Sequence, residues 1–276
     1  MIRRNRKPAE MAISESELSA MTKDLDDLHN ETFPGVRRTL DDFSANLAHL
    51  GRTNATARRT FLIGAGGVAV LGAVAACSSS KSSTSPTSTG GGASTSPSAA
   101  GSSSAGASVY TGDLRVVALA AALENLAVTA YTGALTKAGK GQLGTVPPAV
   151  ATFVQTAMKQ HADHSQAWNA VLSKASLPTI TDAPLTITAT QVAMLNAATT
   201  VPDVAKLALN LENAAADTYT FAAANVTDPG GIMTAATIQP VETMHAAILS
   251  FVLGQYPVPL SFIGVDQAVK PDVLTK

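Results

Sequence analysis

From Asp113 onward the apolar positions fall at helical spacing. Val117, Leu119, Leu123, Leu126 and Tyr131 predict a helix that Asp113 caps and that Gly139 and Gly141 end. Pro147 and Pro148 open a second helix at its first turn, where the missing N–H does no harm. Its stripe of Val150, Phe153, Val154, Ala157, His161, His164, Trp168 and Leu172 follows the i, i+3, i+4, i+7 rule of one buried face. Residues 175–202 form a long connection with one short helical piece near Gln191 to Ala198. A third helix starts near Pro202 and carries Leu207, Leu211, Ala215 and Tyr219, and a fourth runs from Asp228 to Gly254. Pro240 lies inside the fourth and predicts a kink or bulge there. The tail from Gln255, with Pro257 and Pro259, is expected to be irregular.

Before Asp113 the pattern differs. Residues 1–57 alternate acidic and basic patches, such as Asp24-Leu25-Asp26-Asp27 and Arg37-Arg38-Thr39-Leu40, and predict short amphipathic helices without evident chemistry. Phe61 to Ala76 is an apolar run with four glycines, shorter than the roughly 20 residues a spanning helix needs. Residues 78–111 are mostly Ser, Thr, Gly, Ala and Pro and cannot offset their ordering entropy, so they predict a flexible tether.

Charge follows the same division. The formal net charge is -1, but residues 1–76 hold ten of the 19 Lys and Arg, and Arg115 is the one arginine after Cys77. No basic footprint for nucleic acid is present in the helical part. Cys77 is the single cysteine, which excludes internal disulfides, cysteine-ligated zinc and iron-sulfur clusters.

The helical part concentrates its acid and imidazole chemistry. After Cys77 the glutamates are Glu124, Glu212 and Glu242, and the histidines are His161, His164 and His245. All lie on apolar helix faces, and a buried carboxylate without a partner costs several kcal/mol, so the clustering points to a shared cation. The first and third predicted helices also look like copies. Leu123-Glu124-Asn125 with Tyr131 matches Leu211-Glu212-Asn213 with Tyr219, the tyrosine seven residues after the glutamate in both.

Two resemblances follow from these residues. Arg58-Arg59, the apolar run and Val74-Ala75-Ala76-Cys77 resemble, over residues 58–77, a twin-arginine signal with a lipobox. That implies passage through the twin-arginine export machinery, lipidation of Cys77, and residence on the outer face of the cytoplasmic membrane, in the cell envelope. Over residues 112–254 the pattern resembles a ferritin-like four-helix bundle, in particular the exported actinobacterial type. There, one Glu from each of two helices and a Glu-x-x-His from each of the other two hold a di-iron or di-manganese site. The resemblance implies an all-α fold with a long crossover between the second and third helices. It implies Glu124 and Glu212 as terminal carboxylates, Glu242 as a bridging carboxylate, and His164 and His245 as terminal imidazoles.

One position departs from the family. His161 stands where a second bridging glutamate is expected, giving His-x-x-His. One metal ion, an asymmetric pair using all three histidines, and a hydrogen-bonded core without metal all agree with that change. Asp163 lies on another face and is assigned to solvent. Tyr131 and Tyr219 have two readings, hydrogen-bond or electron donors to the site, and core residues with satisfied hydroxyls. Trp168 reads as core. Two functions remain. One is an envelope protein using iron or manganese in redox chemistry with oxygen or peroxide, with an external reductant. The other is a non-catalytic lipoprotein with a vestigial site acting as a binding or structural module.

Overall fold

The computed structural model describes residues 13–64, 108–259 and 261–276, with the side chains of 49–64 left aside. The chain divides into two units, residues 1–51 with 108–276, and residues 52–107; the acidic and histidine residues above all belong to the first. The apolar run beyond Gly64, Cys77 and most of the tether lie outside the described residues. Arg58 and Arg59 fall on the backbone of the first helix.

The described residues are helical. They form α1 (Glu15–Gly64), α2 (Asp113–Gly139), α3 (Pro148–Lys174), α4 (Thr188–Ala197), α5 (Val201–Asn225) and α6 (Pro229–Val252). The bundle consists of two hairpins, α2 with α3 and α5 with α6. They join through α2 against α5 and α3 against α6. Alanines such as Ala118, Ala121, Ala122 and Ala157 are buried on the facing sides and let the backbones approach, while Leu119, Phe153, Leu172 and Ile238 fill the centre. Full burial of each such large side chain stabilises by about 1.5–3 kcal/mol.

The helix starts are written in the sequence. Thr200 and Asp203 form a capping box on α5, the Thr200 hydroxyl accepting from Asp203 N at 3.3 Å and the Asp203 carboxylate from Thr200 N at 3.0 Å. Asp228 caps α6 by accepting from Gly230 N at 2.7 Å. Asp113 is not a cap, contrary to expectation: Gly112, at φ 55°, holds that position. The Asp113 carboxylate instead accepts from Thr227 N at 3.1 Å and Asp228 N at 3.0 Å, tying the start of α2 to the turn between α5 and α6. Across Pro240, α6 stays α-helical, so the expected bulge is not found.

Residues 175–187 cross over the α2–α3 hairpin under two asparagines: Asn125 Nδ2 donates to the Ile180 and Asp182 carbonyls at 2.8 and 3.0 Å, and Asn169 Nδ2 to Ile180 at 2.8 Å. The irregular tail returns to this crossover, with Thr186 N donating to Val273 O and Thr275 N to Pro184 O.

The short helices expected in residues 1–57 are one helix, α1, continuous through Pro34. Its buried residues Leu18, Leu25, Phe33, Val36, Leu40 and Phe43 make a stripe along one side. Leu18 and Leu25 share a core with Phe153 and Ile248, and Phe33 to Phe43 share one with Leu119, Trp168 and Ile238. The acidic and basic patches flank that stripe: Arg37 donates to Gln166 Oε1 at 3.0 Å, Asp41 pairs with Lys174, and Asn46 donates to Asp228 at 3.1 Å.

Candidate metal centre

The six residues converge in the middle of the bundle, and each is at least 97% buried. Helix α2 brings Glu124, α3 His161 and His164, α5 Glu212, and α6 Glu242 and His245. They form two overlapping groups, Glu124, His161, His164 and Glu242, and His161, Glu212, Glu242 and His245. Within each group one ligand atom per residue lies within 4.8 Å of every other. Bonds of about 2.0–2.2 Å to one divalent ion put ligand atoms up to about 4.4 Å apart, so a small contraction closes either group around an ion.

Glu242 joins the groups. Its Oε1 lies 3.4 Å from His164 Nδ1, and its Oε2 3.8 Å from His161 Nδ1 and 3.7 Å from His245 Nδ1. Neither oxygen makes a hydrogen bond among the described residues, nor does His164 Nδ1. Buried polar atoms are normally paired, and here three unpaired ones face a common space lined by ligand atoms. A cation satisfies all three, so these residues fit the metal that the sequence pattern implied.

His161 occupies the place of the missing bridging carboxylate. Its Nδ1 lies 2.7 Å from Glu124 Oε2, and its Nε2 3.2 Å from Glu212 Oε1, so one ring presents a nitrogen to each group. The tyrosines cross over. Tyr131 on α2 donates to Glu212 on α5, and Tyr219 on α5 to Glu124 on α2. This reversed order makes α2 and α5 antiparallel, and each repeat's tyrosine serves the other repeat's glutamate. Trp168 Nε1 donates to Tyr219 Oη at 2.9 Å, which extends the chain of bonds beyond the packing role expected of that residue. Asp163 lies outside the site, 3.1 Å from Lys159 and 3.9 Å from Arg37.

Two further residues touch the site without having been singled out by the sequence. Gln160 Oε1 accepts from His245 Nε2 at 2.8 Å. His29, from α1, places its Nε2 3.3 Å from His164 Nε2. Gln160 had a signal, since it shares the buried side of α3 with His164. His29 had none, being 135 residues from its partner.

Electrostatics separate the groups in the metal-free chain. Burial works against charge on Glu124, Glu212 and the three inner histidines, yet opposite charges outweigh it. Burial raises the Glu124 carboxyl, but the His164 charge beside it and the His161 hydrogen bond bring it to about 2. Glu212 is held well below the usual range against burial by His161 and His245. Burial lowers His164, but Glu124 and Glu242 bring it to about 9, and His161 is raised further by Glu212, Glu242 and Glu124. His29 has no carboxylate against it, and burial with the His164 charge pushes it down to about 4. Burial and the neighbouring glutamates, Glu212 for Tyr131 and Glu124 for Tyr219, raise both phenols well above 10.

A cavity of about 270 Å³ opens beside the carboxylates between α2 and α5. Leu123, Ala127, Leu211 and Ala215 form its walls, Ile187 and Val269 border it from the crossover and tail, and Glu124, Glu212 and both tyrosines reach it.

Buried glutamates and histidines from four helices of an all-α bundle define the ferritin-like class of proteins. A profile of the ferritin-like domain matches residues 106–255, more than half of the chain, and the chain belongs to that family. No curated protein and no solved structure matches it.

Proposed function

We propose that this ferritin-like protein is exported, anchored by a lipid on Cys77 to the outer face of the cytoplasmic membrane, and binds iron or manganese for redox chemistry with oxygen or peroxide. The observation that carries the metal-binding part is the Glu242 carboxylate, fully buried, unpaired and placed between two Glu/His groups. Glu124, His164 and one oxygen of Glu242 would hold one ion; Glu212, His245 and the other oxygen would hold a second, with His161 between them. Bound iron or manganese would supply the one-electron chemistry toward oxygen or peroxide.

The chain's own residues set the surroundings for that chemistry. Tyr131 and Tyr219 hold the terminal carboxylates by donated hydrogen bonds, and the buried Trp168 in turn donates to Tyr219. The cavity's apolar walls favour a small apolar reactant over water on the carboxylate side. Electrons would come from an external reductant, because the single cysteine at Cys77 cannot build a cysteine-ligated redox module.

A second reading, the non-catalytic envelope lipoprotein, draws on His161. Its two hydrogen bonds to Glu124 and Glu212 would let the core stand without metal. Metal content per chain decides between them, measured by plasma mass spectrometry on the full chain after reconstitution with Fe(II) or Mn(II), with Glu212→Ala alongside. Close to two ions per chain, reduced in Glu212→Ala, supports the paired site. One ion means an asymmetric site, and none leaves the binding or structural module.

A further inference from the structure

His164 faces Glu124 and Glu242 with Nδ1, 3.4 Å from each, so it can hold a metal only through that nitrogen. Its Nε2 must then carry the proton. Metal-ligating histidines donate this second N–H to an acceptor that fixes the ring and its tautomer. Here the Nε2 turns away from the site toward α1, where His29 Nε2 lies at 3.3 Å.

We propose that His29 is a positioning residue of the metal centre: its Nε2 accepts the His164 Nε2–H bond and keeps Nδ1 of His164 free for the ion. The proposal rests on the metal-binding reading above. It also makes α1, whose charged patches carry no evident chemistry of their own, part of the centre.

The surroundings of His29 hold its ring in place. It is 5% exposed and stacks on Phe33, with centroids 4.7 Å apart and planes 18° from parallel. Phe33 also meets the His164 ring at 5.5 Å, and the Arg37 guanidinium lies 5.1 Å from its centroid. The other terminal imidazole is backed from the same helix at one remove. Gln160 accepts from His245 Nε2 through Oε1, while its Nε2 approaches the Leu25 carbonyl of α1 at 3.5 Å.

The bundle is shaped to receive α1. Phe43 lies against Gly230 and Gly231 at the start of α6: a Cβ at Gly230 would come within 3.0 Å of Phe43 Cβ, and one at Gly231 within 3.3 Å of its ring. Asn46 binds the Asp228 cap in the same place. Fit at this end sets the position of His29 at the other.

The test uses the full chain and Co(II), whose visible absorption reports coordination. In His29→Phe the ring still stacks on Phe33, but the acceptor is gone; in His29→Gln the side-chain oxygen replaces Nε2 as acceptor. We expect His29→Phe to weaken Co(II) binding about 10–100-fold with a changed absorption band, and His29→Gln to recover most of the affinity and the band. Unchanged affinity in His29→Phe, or a His29→Gln variant as weak as His29→Phe, overturns the proposal while leaving the metal site standing. A wild-type chain that binds no more Co(II) than Glu242→Ala removes the metal-binding reading and this proposal with it. Should His29→Phe not fold, nitrogen-15 NMR of the wild-type chain loaded with Zn(II) decides. A proton on His164 Nε2 coupled to an unprotonated His29 Nε2 supports the bond, and the opposite placement overturns it.

Discussion

Three glutamates and three histidines share one buried space, and their charges depend on one another. In the metal-free chain the carboxylates are stabilised by cationic imidazoles, which gives stability a pH dependence with two edges. Glu124 is depressed to about 2, so its contribution is fully present above its ordinary value near 4.5 and is lost as pH falls toward about 2. His164 is raised to about 9, so its contribution is fully present below 6.5 and is lost as pH rises through about 9. His29, pushed down to about 4, resists protonation as pH falls below 6.5, so the metal-free chain should melt at its highest temperature near pH 6.5 and lose stability as pH falls toward 4 and as it climbs toward 9. Thermal melts followed by circular dichroism across pH 4 to 10 check this, and a flat profile from pH 6 to 10 would contradict the ion-paired core. Metal bound at the site would have to displace protons from His161, His164 and His245, so saturating Mn(II) is expected to raise the melting temperature most on the alkaline side.

At the scale of elements, α1 depends on a close approach that only glycine permits. Gly231→Ala would place a Cβ 2.6 Å from Val226 Cγ1 and 3.3 Å from the Phe43 ring, on both sides of the start of α6. Overpacking of this kind costs about 1–3 kcal/mol. Urea unfolding of the variant should show that loss, and limited proteolysis should cut α1 sooner than in the wild type; equal cleavage rates would argue that α1 does not rely on this cradle. The four bundle helices were legible because periodic apolar faces, prolines at N1 and the Asp228 cap all mark the same segments. The convergence of the six Glu and His side chains was legible because the domain confines its glutamates and histidines to those faces. The packing of α1 was not: Asp24 to Asp27 and Arg37 to Asp42 read as separate charged patches on short helices, whereas Leu18 to Phe43 bury one continuous stripe. The crossed tyrosines were hidden for a similar reason. Seven-residue spacing relates each tyrosine to its own glutamate, but antiparallel packing of α2 and α5 delivers it to the other.

For the whole molecule, the order of segments gives α1 a meaning that depends on Cys77. Arg58-Arg59 stand near the end of α1, with most of the apolar run and Val74-Ala75-Ala76-Cys77 between that helix and the bundle; in the export reading, cleavage before Cys77 would separate the helix carrying His29 from the chain carrying His164. In that reading the precursor folds with α1 backing both terminal imidazoles, which suits a route that carries folded proteins. The processed chain then keeps the six inner residues without His29. We expect the wild type, expressed in a host with the twin-arginine route, to yield a membrane-bound product that starts at Cys77 and carries attached lipid. Cys77→Ser should accumulate as the unprocessed chain without lipid. Mass spectrometry and radiolabelled fatty-acid incorporation read both, and a Cys77→Ser product of the same size as the wild type would remove the lipoprotein assignment. Where processing does occur, the processed chain, freed of α1, should lose Co(II) to a chelator faster than the precursor, because the acceptor for His164 Nε2 has left with the leader. Equal rates would mean that α1 covers the centre without holding its ligands in place.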